Sequence, residues 1–190
     1  MILQGTIAAD VVETKGGVKT QHNVLEQIGI NPLERYGYRV LEPLKDLYKP
    51  QVREVARFLG LPAEVSERRP FPGPGLSVRV LGEVTRERIE LVRKATRIVE
   101  EETEGYPCFQ AFAVLLSDRA TGVSERGERK YGNIVVVRVV ISEDAMRAEP
   151  LELPWGVLHR LSSRITREVP GVCRVLYDLT PKPPATIEFE

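Results

Sequence analysis

Apolar residues recur along this chain of 190 residues with two different periods, and the periods change along its length. In TRERIELVRKATRIVEEET, Ile89, Val92, Thr96 and Val99 fall at helical spacing behind Thr85, a residue able to cap the first turn. PWGVLHRLSSRITREVPG repeats the pattern with Trp155, Leu158, Ser162, Ile165 and Val169, and Pro170-Gly171 ends it. Three runs read as strands instead: QAFAVLL (110–116), GNIVVVRVVIS (132–142) and VCRVLYDL (172–179). The order helix, strand, strand, helix, strand predicts a small three-stranded α+β sheet. The stretch before it differs. Residues 2–12 read as a strand end and loop and VLEPL (40–44) as a short buried strand. PQVREVARFLGLP is a helix with Pro50 in its first turn and Gly60 and Pro62 as its stop. That alternation predicts the end of a parallel α/β sheet. The fold class is therefore α/β followed by α+β.

The change of pattern falls in a proline- and glycine-rich stretch, RRPFPGPGLSVRV, too stiff for a linker that needs only length. It places the boundary between residues 1–66 and 67–190 and sets Arg79 at the start of the second part. A polar, glycine-bearing segment at about 13–38 has no apolar period and reads as a loop able to act as a lid. A three-stranded sheet so rich in valine leaves an apolar face, which predicts that a second copy covers it in a two-fold dimer.

Charge and cysteine usage narrow the function. Lysine plus arginine equals aspartate plus glutamate, which argues against nucleic acid as a partner. No apolar run is long enough to span a bilayer. Cys108 and Cys173 lie far apart and the chain has two histidines, so no metal site is expected and a reducing cytoplasm is.

The candidate chemistry gathers at the carboxy terminus, KPPATIEFE. Pro183 and Pro184 stiffen the chain after Lys182, and Thr186 and Glu188 follow within a few residues. A cation, a hydroxyl, backbone N–H groups and a carboxylate are what holds a phosphate at one end of a ligand and a polar ring or sugar at the other. Arg138 interrupts the valine strand and must be paired, with Asp178 or Glu143 as candidates, or must face a cleft; it is a secondary site candidate. Gln110 opens its strand, Arg129 sits in a charged turn, and Lys19 and His22 lie in the glycine-bearing loop, where they are able to close over an anion.

Together the pieces QGTIAADVVET, KTQHN, EPLKDLYKPQVREVARFLGLP, RPFPGPGLSVRVLGEVTRE, QAFAVLL, the Arg129-Lys130-Tyr131 turn and GVCRVLYDLTPKPPATIEFE resemble the C-terminal part of GMP synthase, the glutamine-hydrolysing family that converts XMP to GMP in purine biosynthesis. The resemblance implies an adenine nucleotide hydrolase-like ATP-pyrophosphatase end and an XMP-binding dimerisation domain. ATP with Mg is the co-substrate of the complete enzyme, and ammonia comes from a glutaminase subunit or domain. Matched by motif, Lys182 and Arg129 would hold the XMP phosphate with support from Arg79. Gln110, Ile187 and Glu188 would line the pocket, and Lys19 and His22 would belong to the catalytic lid. The family's serine-glycine-glycine-valine-aspartate-serine loop is absent, and Gln21 stands where the first of two lid histidines is usual. The resemblance thus implies an ATP-binding half supplied elsewhere, no ATP bound by this chain alone and no GMP made by it alone. The alternative is a dimeric nucleotide-binding or regulatory remnant without catalysis.

Overall fold

A computed structural model describes residues 1–15, 29–67, 69, 71–124 and 126–190; of residues 13–15 it describes the backbone. The chain divides into two compact units: Met1–Arg68 with Asp144–Met146, and Arg69–Glu143 with Arg147–Glu190.

In the first unit β1 (Ile2–Leu3) pairs in parallel with β2 (Val40–Leu41), in register Ile2↔Val40 and Leu3↔Leu41. The buried strand expected at 40–44 is thus two residues long, and Leu41 is exposed, because a ladder of two pairs shields little. The loop expected up to residue 12 is a helix from Ala8: α1 runs Ala8–Lys15. Its start is set by Asp10, whose carboxylate accepts from the Ile7 N–H at 3.0 Å, and by two alanines of high helix propensity. The short α2 (Pro32–Tyr36) is capped by Asn31 and closed by Gly37 at φ 74°. Then α3 (Lys49–Phe58) starts with Pro50 in its first turn, as its sequence requires, and the brief α4 (Ala63–Ser66) follows.

The second unit is built on one mixed sheet. After a 3-10 turn at Gly75–Arg79, α5 (Arg86–Glu102) is capped by the Thr85 hydroxyl, which accepts from the Arg88 N–H. The long β3 (Gln110–Val123) and β4 (Arg129–Ile141) run antiparallel, with Phe112 opposite Arg138 and Thr121 opposite Tyr131. Next come β5 (Glu149–Pro150), paired with the end of β4, and α6 (Trp155–Glu168), which leads into β6 (Val172–Tyr177) parallel to β4. The sheet therefore has four strands and not three. The fourth, β5, is too short to show a period of two.

Alternation decides what each face does. Ala111, Ala113 and Leu115 of β3 and Val135, Val137 and Val139 of β4 share one core with Leu91, Val92, Ala95, Ile98 and Val99 of α5 and Val157, Leu161 and Ile165 of α6. The buried ridge of α6 is thus Val157, Leu161, Ile165 and Val169, and Trp155, expected on it, is 76% exposed in the first turn. An uninterrupted i, i+4 apolar series outcompetes the larger aromatic at the helix start. The opposite face carries Gln110, Phe112, Val114, Val136, Arg138 and Val140, all buried although none of them belongs to the core shared with α5 and α6. The open face foreseen from the valines is here closed by the chain itself.

Two local devices fix the sheet. Cys173 sits between Gly122 and Gly132; a Cβ at either glycine would stand 2.7 Å from the Cys173 Cβ. At Gly132 it would also meet the Gly171 carbonyl oxygen at 2.8 Å. We expect Gly122→Ala to cost about 1–3 kcal/mol of unfolding free energy. Adding Cys173→Gly should return most of that loss, but little of it for Gly132→Ala, whose clash with backbone remains. Denaturant titration of the single and double variants checks both. The second device joins α5 to α6: Arg164 reaches Glu101 (2.7 Å), Glu102 (3.0 Å) and Glu168 (3.1 Å), and Arg160 reaches Glu102 at 2.7 Å. Arg160 first and Arg164 second hold the Glu102 carboxyl below its ordinary range; Arg164 is the leading cause for Glu101 and Glu168. Depressed carboxylates stabilise above the ordinary carboxylate range and lose that contribution as pH falls through their lowered values. Arg164→Met should therefore melt a few degrees below the parent at pH 7, with the gap closing as the pH falls below the ordinary carboxylate range; thermal melts across pH measure it.

Candidate functional site

The face of the sheet outside the core shared with α5 and α6 is where the candidate residues of the tail collect. Two arginines organise it. Arg79 is 3% exposed, at the end of the 3-10 turn that the proline stretch forces. Its guanidinium donates through Nε (3.0 Å) and Nη2 (2.9 Å) to the two carboxylate oxygens of Glu188. Its planar group also lies over two rings, with the guanidinium carbon 4.0 Å from the Phe112 centroid and 5.3 Å from that of Phe71. Stacking plus a bidentate fork is a combination that lysine does not offer.

Arg138 is fully buried near the C-terminal end of β4. It pairs with Asp178 at 3.1 Å, donates through Nη1 to the Thr180 carbonyl at 2.6 Å and through Nη2 to the Thr186 carbonyl at 3.1 Å. Asp178 in turn accepts from the Thr180 N–H at 2.9 Å. The charge in the valine strand is thus paired, and of the two candidate partners it is Asp178, just past the end of β6, that takes it.

Between these two anchors the tail makes a compact hook. Lys182 exchanges two backbone hydrogen bonds with Ala148, at 2.7 and 3.1 Å, just before β5. The Ala185 N–H closes a turn onto the Pro181 carbonyl at 3.0 Å, across the cis bonds that precede Pro183 and Pro184. The Thr186 hydroxyl donates to the Glu188 carbonyl. Ile187 is 8% exposed and Gln110, at the start of β3, is 6% exposed. Arg79, Glu188, Phe112 and Arg138 are thus linked by direct contact or strand register.

Arg129 is elsewhere. It starts β4, twelve residues before the end that pairs with β5 beside Lys182. At about 3.3 Å per residue that is on the order of 35–40 Å of strand. One chain does not bring Lys182 and Arg129 onto one phosphate. Around Arg129 the structure gathers cations that the sequence pattern does not single out. Arg129 Nη2 donates to the Thr121 hydroxyl at 3.4 Å, Arg174 Nη2 to the Thr121 carbonyl at 3.3 Å, and Arg119 Nη2 to the Tyr131 carbonyl opposite at 2.8 Å. All three are exposed, and among the described residues none has an ion pair. Alternation along VCRVLY, which turns Arg174 and Leu176 outward, was the signal available for Arg174. Lys19 and His22 lie outside the described residues.

Residues 97–189 match the family described as GMP synthase C terminal domain. The chain belongs to the GMP synthase family and carries its C-terminal part. Over all of its length it is 56% identical to the B subunit of the glutamine-hydrolyzing GMP synthase of Methanopyrus kandleri, covering 61% of that protein. Its identity to the B subunits of the same name from Archaeoglobus fulgidus and Pyrococcus abyssi is 53% and 54%, with 60% of each covered. The chain thus spans about three-fifths of the length of these GMP synthase relatives.

If the Arg79–Glu188 pair holds the tail down, Glu188→Gln should release it. Breaking a buried pair costs ~3–5 kcal/mol at most, and tail release is cheaper than unfolding the unit. We expect carboxypeptidase to remove the last residues at least about tenfold faster from Glu188→Gln, with only a small drop in melting temperature; equal digestion rates would show that the pair does not hold the tail.

Proposed function

We propose that this chain is the XMP-binding part of a GMP synthase, with its hook gripping the purine nucleotide. What supports this most directly is the organised tail: a lysine and a carboxylate set on opposite sides of a stiff turn, the carboxylate already oriented by Arg79. Lys182 is suited to a phosphomonoester. Gln110, Ile187 and Glu188 are suited to the ring and ribose, the carboxylate accepting from N–H or O–H groups. The reaction would be adenylation of the xanthine O2 by ATP with Mg, loss of pyrophosphate, and attack of ammonia at C2 with departure of AMP. In that scheme Lys19 and His22 stabilise charge in the lid. Relatives that are themselves B subunits imply a companion polypeptide as the source of ammonia from glutamine. The remaining two-fifths of their length would include the ATP-gripping part, so this chain would make no GMP by itself.

The separation of Lys182 from Arg129 gives the dimer a chemical reason. Two copies related by a two-fold axis would set the Arg119, Arg129 and Arg174 cluster of one against the Lys182 hook of the other, so that each phosphate is held by both chains. Among the described residues the cluster has no carboxylate partner, which leaves it suited to an anion.

Calorimetric titration with XMP tests the reading. The chain should bind it, and Lys182→Ala should weaken binding by about 10–100-fold, the size of one charge-assisted contact. Mixing Lys182→Ala with Arg129→Ala chains should restore about one strong site per mixed dimer. No binding by the parent chain would refute the assignment, and no recovery on mixing would refute the shared site.

A further inference from the structure

Arg138 lies away from the exposed part of the hook, yet it touches both of its legs. The loop between Thr180 and Thr186 contains Lys182, Pro183 and Pro184. One guanidinium restrains the two legs together: Nη1 is bonded to the carbonyl that opens the loop, at 2.6 Å, and Nη2 to the carbonyl that closes it, at 3.1 Å. Asp178, only 14% exposed, fixes the rotation of that guanidinium through a third contact at 3.1 Å and ties back its own end of the loop through the Thr180 N–H. The arginine is itself 0% exposed, opposite Phe112 on the sheet. A charge so far from water is costly. Replacing such a pair by apolar residues is often neutral or stabilising. Its presence in an otherwise valine strand therefore calls for a geometric role beyond stability.

We propose that Arg138 is a positioning residue for the nucleotide site: its planar fork sets the spacing of residues 180 and 186, and so the placement of Lys182 before any ligand arrives. The role rests on the reading of the tail as an XMP site. An ordered hook binds without first losing its own conformational freedom, and that freedom is what a loosened loop would have to surrender. A lysine at 138 keeps the charge beside Asp178 but has a single nitrogen, which cannot hold two carbonyls in a fixed plane.

The test uses the full chain with two readouts, calorimetric XMP affinity and amide hydrogen exchange. Arg138→Lys should raise the XMP dissociation constant at least about tenfold. It should speed exchange at Lys182 and Ala185 while leaving Ala113 and Val137 in the sheet as they were. Asp178→Glu, which keeps a carboxylate near the fork, should retain more affinity than Asp178→Ala. Should Arg138→Lys fail to fold, the double variant Arg138→Gln/Asp178→Asn removes both buried charges and should show the same loss of affinity and the same loosened tail. Unchanged affinity in a folded variant would overturn the proposal. So would a loss of affinity matched by faster exchange throughout the sheet, the mark of a purely structural residue. If the parent chain does not bind XMP, the functional reading fails, and the exchange pattern alone decides whether Arg138 sets the hook.

Discussion

Two buried guanidinium groups carry the second face of the sheet. The first face has helices to cover it, and its packing follows from alternation and the helical ridges. The second lies outside the core shared with α5 and α6, and Phe112, Val114, Val136 and Val140 would meet water there if the chain did not cover them. What lies over it is irregular backbone, and irregular backbone brings carbonyls that need donors. Arg138 supplies them to Thr180 and Thr186, and Arg79 supplies a stacked cation that binds the Glu188 carboxylate. Without Arg138 the two carbonyls would lose the donor that ties the tail to β4. Stability and site are thus made by the same contacts: the cover over the sheet is also the hook.

The same constraint accounts for prolines at both ends of the unit. The stretch around Phe71 to Arg79 must turn sharply, with Gly75 at φ 73°, to deliver Arg79 onto Phe112. The stretch from Pro181 to Ala185 must turn just as sharply to bring Thr186 back over Arg138. Both ends of the unit therefore converge on β3 and β4, at the end of the sheet away from the β3–β4 hairpin tip. The hairpin tip is left to the exposed arginines 119, 129 and 174, so that β4 carries a charged feature at each end.

The long periodic elements were legible because periodicity and caps say the same thing in each. Thr85 caps α5 where its apolar stripe begins, and Pro50 and Gly60 bracket α3. Short elements were not: β5 has two residues, and α1 begins in a segment whose apolar residues show no helical stripe. The face of α6 was misjudged because Trp155 outweighed Val157 in the pattern, while packing favoured the uninterrupted ridge. Within the site, proline and charge pointed to the tail as a chemical region. Asp178 was visible as a partner for Arg138, but the two carbonyls were not, since backbone acceptors leave no trace in side-chain identity. The separation of Arg129 from Lys182 was hidden for another reason: motif matching groups residues by role, whereas strand length sets how far apart one chain holds them.

The central claim is that the tail is ordered without ligand because the two arginines hold it. Backbone nitrogen-15 relaxation on the unliganded chain measures this most directly. The account predicts order parameters near ~0.85 from Thr180 to Glu188, equal to those of the sheet. Values below about 0.6 over those residues, with the sheet still rigid, would contradict it.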